Sequence, residues 1–298
     1  MIHTSLAGSF FHLWLAQRAY PEIFPEWVAE GETWAAFLAG SVAPDLGFFP
    51  GGPRVFSERI HHGQTGDFLR ALRDEVQDEV ERAFVAGWAL HLYTDTALHP
   101  WVNSRVDTLL QDLSGRFSQR RDLWHMRLEN GIDCDLLGRN ELRFLWDVDI
   151  HFPQRSGGSG ILPLAGQIFY GEDAREDQLR QGMESQKKWL RRLPRIFLWT
   201  GNVCPASPKG VIPAVGFCVR PLVRKILGDW LGSAQRWDTM AAVARPLHLE
   251  SVTLSEAEKL GSQALCAFKA GFAERFDSLE NLDLDTGQLA SCRECGDE

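Results

Sequence analysis

Apolar positions along the chain recur at helical spacing, and few stretches show the alternation of a half-buried strand. Leu6 to Tyr20 predicts a first amphipathic helix, closed by Pro21, and Glu32 to Val42 a second, ending before Pro44. Gly47 to Pro53 (GFFPGGP) reads as an irregular loop because Gly and Pro interrupt any period. Thr65 to Val76 predicts a third helix, with Phe68, Leu69, Leu72 and Val76 at core spacing. Glu79 to His99 predicts a long central helix that Pro100 ends or kinks. Helices over Arg120 to Leu137 and Asn140 to Val148 complete an N-terminal set. A glycine-rich joint, SGGSG at 156–160, precedes a long charged helix from Glu172 to Trp199 that carries Trp189 and Phe197. A Pro- and Gly-rich loop from Gly201 to Pro213 leads to helices over Val219 to Leu231 and Ser255 to Phe276. The expected class is all-α. Residues 1–155 form its chemical half, and residues 156–298 a helical extension packed on it as one continuous domain.

The segment FVAGWALHLYTDTALHPWVN, Phe84 to Asn103, changes the picture from packing to chemistry. His91, Asp95 and His99 follow one another at i, i+4, so each returns to within about 40° of the last around an α-helix. Phe84, Val85, Trp88 and Leu92 flank that stripe as core residues. His125 and Glu129 repeat the spacing on a later helix, where Arg120, Arg121 and Arg127 also make an exposed ion pair an available reading. Imidazoles and carboxylates converging on an apolar face are costly to bury unless something satisfies them. Divalent zinc accepts this mixture of nitrogen and oxygen donors.

Three further positions join as candidates. Asp45, after Pro44 in SVAPDLGFF, is either the cap of the next element or a ligand. Of His61 and His62 in ERIHHGQTGDF, one serves as a ligand while the other lines the pocket. His12, beside Phe11, Leu13 and Leu15, reads by itself as a packed core residue.

Composition narrows the partners. Lys and Arg total 31 against 40 Asp and Glu, a formal net charge of −9, which argues against a basic surface for nucleic acid or an anionic membrane. The 6 cysteines have no framework spacing, and the CxxC at Cys292 and Cys295 lies in an acidic tail that reads as mobile. The N-terminus has no basic region before its apolar run and no clear cleavage site, and no segment has the length of a membrane span. The expected address is cytoplasmic.

In this order, His12, Asp45, His61, His91-x3-Asp95, His99 and His125-x3-Glu129 resemble the ligand set of the zinc-dependent phospholipase C family, whose helical fold is shared with single-strand-specific nucleases. The resemblance covers roughly residues 10 to 130. It implies a multi-helix bundle with the metal cluster between helices. It places Asp45, His61, His91 and Asp95 on one zinc ion, His99, His125 and Glu129 on a second, and His12 with a bridging Asp95 on a third. It prefers His61 to His62 from its position before the TGDF segment. Three residues separate Asp95 from His99, where the secreted enzymes have five. Those enzymes complete the third site with an N-terminal Trp, whereas this chain begins Met1-Ile2-His3.

The implied activity is hydrolysis of a phosphodiester or phosphomonoester, phospholipid included, by a metal-activated water that Asp45 orients or deprotonates. Two other functions stay open: a nuclease on the same fold, with Trp88, Tyr93 or Trp101 as stacking rings, and a non-catalytic helical protein held together by metal. Phe48 and Phe49 either dip into a bilayer interface or pack on the domain.

Overall fold

The computed structural model describes residues 8–26, 30–112, 121–139, 144–156, 160–171, 175–199, 203, 246–247 and 251–290. Among them the chain is a helical protein with one short hairpin: α1 (Ser9–Ile23), α2 (Gly31–Val42), a 3-10 helix (Ala43–Phe48), α3 (Arg54–His62), α4 (Thr65–Asp74), α5 (Glu79–Asp112), α6 (Arg121–Leu137), α7 (Ile161–Tyr170), α8 (Glu176–Trp199), α9 (Ser251–Ala273), and strands β1 (Leu282–Asp283) and β2 (Gln288–Leu289). The all-α expectation holds. The helix expected over Val219 to Leu231, the loop around Gly201 to Pro213, the CxxC tail, Met1 and His3 lie outside the described residues, save Val203.

The chain divides into two compact units. The first comprises Met1–Trp14, Val102–Asp149 and Gln186–Glu258, and the second Leu15–Trp101, Ile150–Ser185 and Lys259–Glu298.

The second unit is built around α5. Every residue from Ala83 to Leu92 is buried, so this stretch is surrounded on all faces, as a helix apolar all round should be. Helix α2 reaches it closely through two glycines. A Cβ on Gly40 would stand 2.0 Å from the Phe84 carbonyl oxygen, and one on Gly87 2.1 Å from that of Phe37. Aromatic rings fill the rest: Tyr20, Phe24 and Phe37 on one side, with Phe56, Phe68, Trp88 and Tyr170 on the other, centroids mostly 5–6 Å apart. Such edge-on pairs add to an already large burial term. Arg155 closes the unit by gripping Glu81 through both carboxylate oxygens, at 2.7 and 3.1 Å.

In the first unit, the start of α1 is fastened to α6, where the Asp133 carboxylate accepts the Phe11 N–H at 3.0 Å. Trp146 donates to the Leu137 carbonyl (3.1 Å), and Arg191 of α8 pairs with Asp149 (2.6 Å).

Several boundaries differ from expectation. Pro21 lies inside α1 rather than ending it, because in the last turn a proline forfeits little more than one hydrogen bond. Helix α5 runs through Pro100 to Asp112. The Thr96 carbonyl that Pro100 cannot serve has Gly287 against it, where a Cβ would stand 3.1 Å away, and Gly287 also has φ +67. Within the expected Asn140–Val148 helix, the described part is a short 3-10 turn at 144–146. Helices α3 and α7 and the hairpin lie before residue 65, just after the SGGSG joint and past Phe276, in stretches where the spacing predicts no particular element.

Candidate metal centre

Asp45 sits in the 3-10 helix that follows α2, made by Pro44 at its first turn. Ser57 clamps that turn from α3, its hydroxyl donating to the Pro44 carbonyl (2.6 Å) and accepting the Gly47 N–H (2.9 Å). One turn further along α3, the Ser57 carbonyl accepts from His61 Nδ1 at 2.7 Å. His91, on the buried centre of α5, donates from Nδ1 to the Ser41 carbonyl at 3.0 Å. That bond depends on the close glycine contact between α2 and α5.

A carbonyl only accepts, so each of these Nδ1 atoms carries its hydrogen, and in the neutral ring each Nε2 presents a lone pair. The two Nε2 atoms lie 3.4 Å apart. His61 Nε2 is 3.1 Å from Asp45 Oδ1 and 3.5 Å from Asp95 Oδ2, and His91 Nε2 is 3.0 Å from Asp95 Oδ2 and 3.9 Å from Asp45 Oδ1. The four side chains are 0–6% exposed. Neutral imidazoles and ionised carboxylates so placed are acceptors facing acceptors, an arrangement that calls for a cation or a proton. Ligand distances of 2.0–2.2 Å around tetrahedral zinc give edges of about 3.3–3.6 Å, and the five measured separations scatter about that value. The donor set therefore fits zinc. Without a cation, His61 is the group that takes the proton. Burial works against its charged form, but hydrogen bonding and charge from Asp45 and Asp95 outweigh it and push its pKa up to about 10.

Asp95 faces two ways. Its Oδ2 belongs to the cluster above, and its Oδ1 lies 3.4 Å from His99 Nε2, one turn on along α5. His99 Nδ1 in turn meets Asp285 Oδ1 at 3.1 Å, a partner carried by the C-terminal hairpin. His62, half-exposed, turns away to Asp283 of the same hairpin (3.4 Å). The structure thus brings His61, not His62, to Asp45, His91 and Asp95. Phe48 leans on the His61 ring with centroids 5.3 Å apart, and Phe49 is buried, so both pack on the protein.

In the first unit, His125 and Glu129 are buried, 4% and 3% exposed, and not a surface pair. His125 follows the same design: Nδ1 meets Asn103 Oδ1 at 2.9 Å while Nε2 faces Glu129 Oε1 at 3.1 Å. Gly8, at φ +80, lies against the Glu129 carboxylate. His12 is buried on α1, whose start Asp133 holds. Burial raises the Asp133 carboxyl well above its usual range, against the lowering effect of the N–H groups it accepts.

Sequence reasoning missed Ser57, Asn103 and Asp285, which orient ligating candidates without being candidates themselves. Asn103 lay in the quoted segment, twelve residues after His91, but nothing in its spacing marks it as a partner of His125.

A family model described as zinc dependent phospholipase C matches residues 11–160, half of the chain, and the chain belongs to that family. The matched stretch contains all eight candidate ligands and neither aspartate of the hairpin. No curated protein matches the chain, and no solved structure does. Among the described residues, no helix is long and apolar enough to cross a membrane.

Proposed function

We propose that the chain is a zinc hydrolase of phosphoesters, acting on a phosphodiester such as that of a phospholipid. The observation that carries this is the common setting of four imidazoles. His61, His91, His99 and His125 each engage an acceptor through Nδ1 and turn Nε2 toward a carboxylate. Histidines that ligate zinc are held in this way, with the tautomer and ring angle fixed from outside.

In this proposal Asp45, His61, His91 and Asp95 hold one zinc ion, and His99, His125, Glu129 and His12 are further zinc donors. When bound, zinc supplies positive charge against the phosphoryl oxygens and makes a water acidic near neutral pH. The carbonyls of Ser57 and Ser41 keep the His61 and His91 rings from turning. Asp45, clamped by Ser57, orients the attacking water and takes its proton. Phe48 covers one face of His61 and keeps bulk water from it. The nuclease alternative is not favoured, because the net charge is −9 and Trp88 is fully buried and closed to base stacking. A cytoplasmic address belongs to the same proposal.

The test is elemental analysis of protein purified without added metal, followed by hydrolysis of a chromogenic phosphodiester before and after chelation. Zinc should be present, chelation should abolish turnover, and added zinc should restore it. Full activity in a His91→Ala variant, or zinc bound with no turnover on any phosphoester, would overturn the proposal.

A further inference from the structure

On the Nδ1 side, the partner described for His99 is a charged group. The Nδ1 acceptors of His61 and His91 are backbone carbonyls and that of His125 is an amide, whereas His99 Nδ1 meets the Asp285 carboxylate at 3.1 Å. Asp285 belongs to the tip between β1 and β2, 186 residues further along the chain and outside the stretch matched by the family.

This tip is not a loose end that happens to lie nearby. The Leu284 N–H donates to the His61 carbonyl (2.7 Å) and the Leu282 N–H to the Thr65 hydroxyl (2.6 Å). Asn281 exchanges two hydrogen bonds with Asp67, at 3.0 and 2.8 Å, and Arg70 donates to the Leu279 carbonyl (2.7 Å). Leu284 is fully buried. Gly66 lets the two backbones meet, since a Cβ there would stand 2.2 Å from the Leu279 oxygen. Within the tip, the Asp285 N–H donates to Asp283 Oδ1 at 3.0 Å, fixing the turn that aims the carboxylate. The hairpin is therefore fastened to the end of α3 and the start of α4, the same place that supplies His61.

We infer that Asp285 is a positioning residue for the metal centre, accepting the Nδ1–H of His99 so that Nε2 is presented as a strengthened donor. A carboxylate behind an imidazole fixes its tautomer and raises its basicity toward a metal. Asp283 does not share this role, because its Oδ1 accepts the Asp285 N–H and faces His62. The inference rests on the proposed role of His99 as a zinc donor.

The test uses the full chain, stripped by chelator and reloaded with zinc, with affinity read by competition against a chromogenic chelator and folding read by circular dichroism. Asp285→Ala should weaken the loosest zinc by about 10–100-fold while its helical spectrum stays that of the parent. Asp285→Asn, which keeps an acceptor oxygen but not the charge, should recover part of that loss. Gln288→Ala, at an exposed position of the same hairpin, should bind zinc like the parent. Parent-like zinc affinity in Asp285→Ala, or an equal loss in Gln288→Ala, would overturn the inference. If the parent binds zinc but hydrolyses no phosphoester, the functional proposal fails and the affinity series still decides the role of Asp285. If the parent binds no zinc, the metal assignment itself falls and takes this inference with it.

Discussion

Replacing Gly87 by Ala puts one methyl group where α2 and α5 touch, and the effect on the candidate metal centre follows from distances. The new Cβ would lie 2.1 Å from the Phe37 carbonyl oxygen and 2.9 Å from the Ser41 amide nitrogen. Ordinary contact is about 3.4 Å, so the helices must part by roughly 1 Å, and since the obstacle is backbone no rotamer change relieves it. Overpacking of this kind costs about 1–3 kcal/mol or more. Moving α2 also draws the Ser41 carbonyl away from His91 Nδ1, now at 3.0 Å, and loss of that buried hydrogen bond costs about 1–3 kcal/mol. The helix propensity of Ala over Gly returns about 1 kcal/mol. The net expectation is a loss of about 1–5 kcal/mol in denaturant unfolding, together with zinc affinity lowered about 10–100-fold as His91 loses its orienting partner. Gly63→Ala, where nothing lies within 4 Å, serves as the control and should fall within about 0.5 kcal/mol of the parent. A Gly87→Ala variant as stable as the parent, with parent-like zinc affinity, would refute both the tight contact and its role in setting His91.

Ser57→Ala removes the hydroxyl that joins Pro44 to Gly47, and should cost about 1–3 kcal/mol and lower kcat on a phosphodiester more than it raises KM, because the Asp45 turn loosens. Arg155→Ala leaves the buried Glu81 carboxylate without its bidentate partner, and should cost about 3–5 kcal/mol in chemical denaturation, with Arg155→Lys recovering part. Asp133 has a raised folded-state pKa, so between its unfolded and folded values the native state holds the extra proton and stability falls as pH rises. Asp133→Asn, which can still accept the Phe11 N–H, should therefore raise the melting temperature at pH 8 relative to the parent and change it little at pH 4; an equal shift at both would exclude this cause.

Much of the centre was legible because helical spacing is a local property. His91, Asp95 and His99 had to share a stripe wherever the helix lay, and the flanking Phe84, Trp88 and Leu92 are buried as expected. What eluded the sequence depends on partners distant along the chain. Pro100 reads as a stop when only its own missing N–H is counted, yet the apolar spacing of Val102 and Val106 continues, and the helix with it. The helix carrying His61 was hidden behind GFFPGGP, although Phe56 and Ile60 stand one turn apart and are both buried. No pattern marks a two-residue strand, so the hairpin and its aspartates had no signal at all. The choice between His61 and His62 illustrates the same limit: adjacent residues on a helix point about 100° apart, and only the placement of α3 decides which one faces inward.

The distance along the chain between His99 and Asp285 has a consequence for biosynthesis. At about 5–20 residues per second, a ribosome needs roughly 10–40 s to travel the 186 positions separating them. Throughout that interval a nascent polypeptide exposes the imidazole without the carboxylate that will sit behind it. Cation capture during translation would therefore occur at an unfinished receptor, and the hairpin, once it emerges, would tighten the grip afterwards.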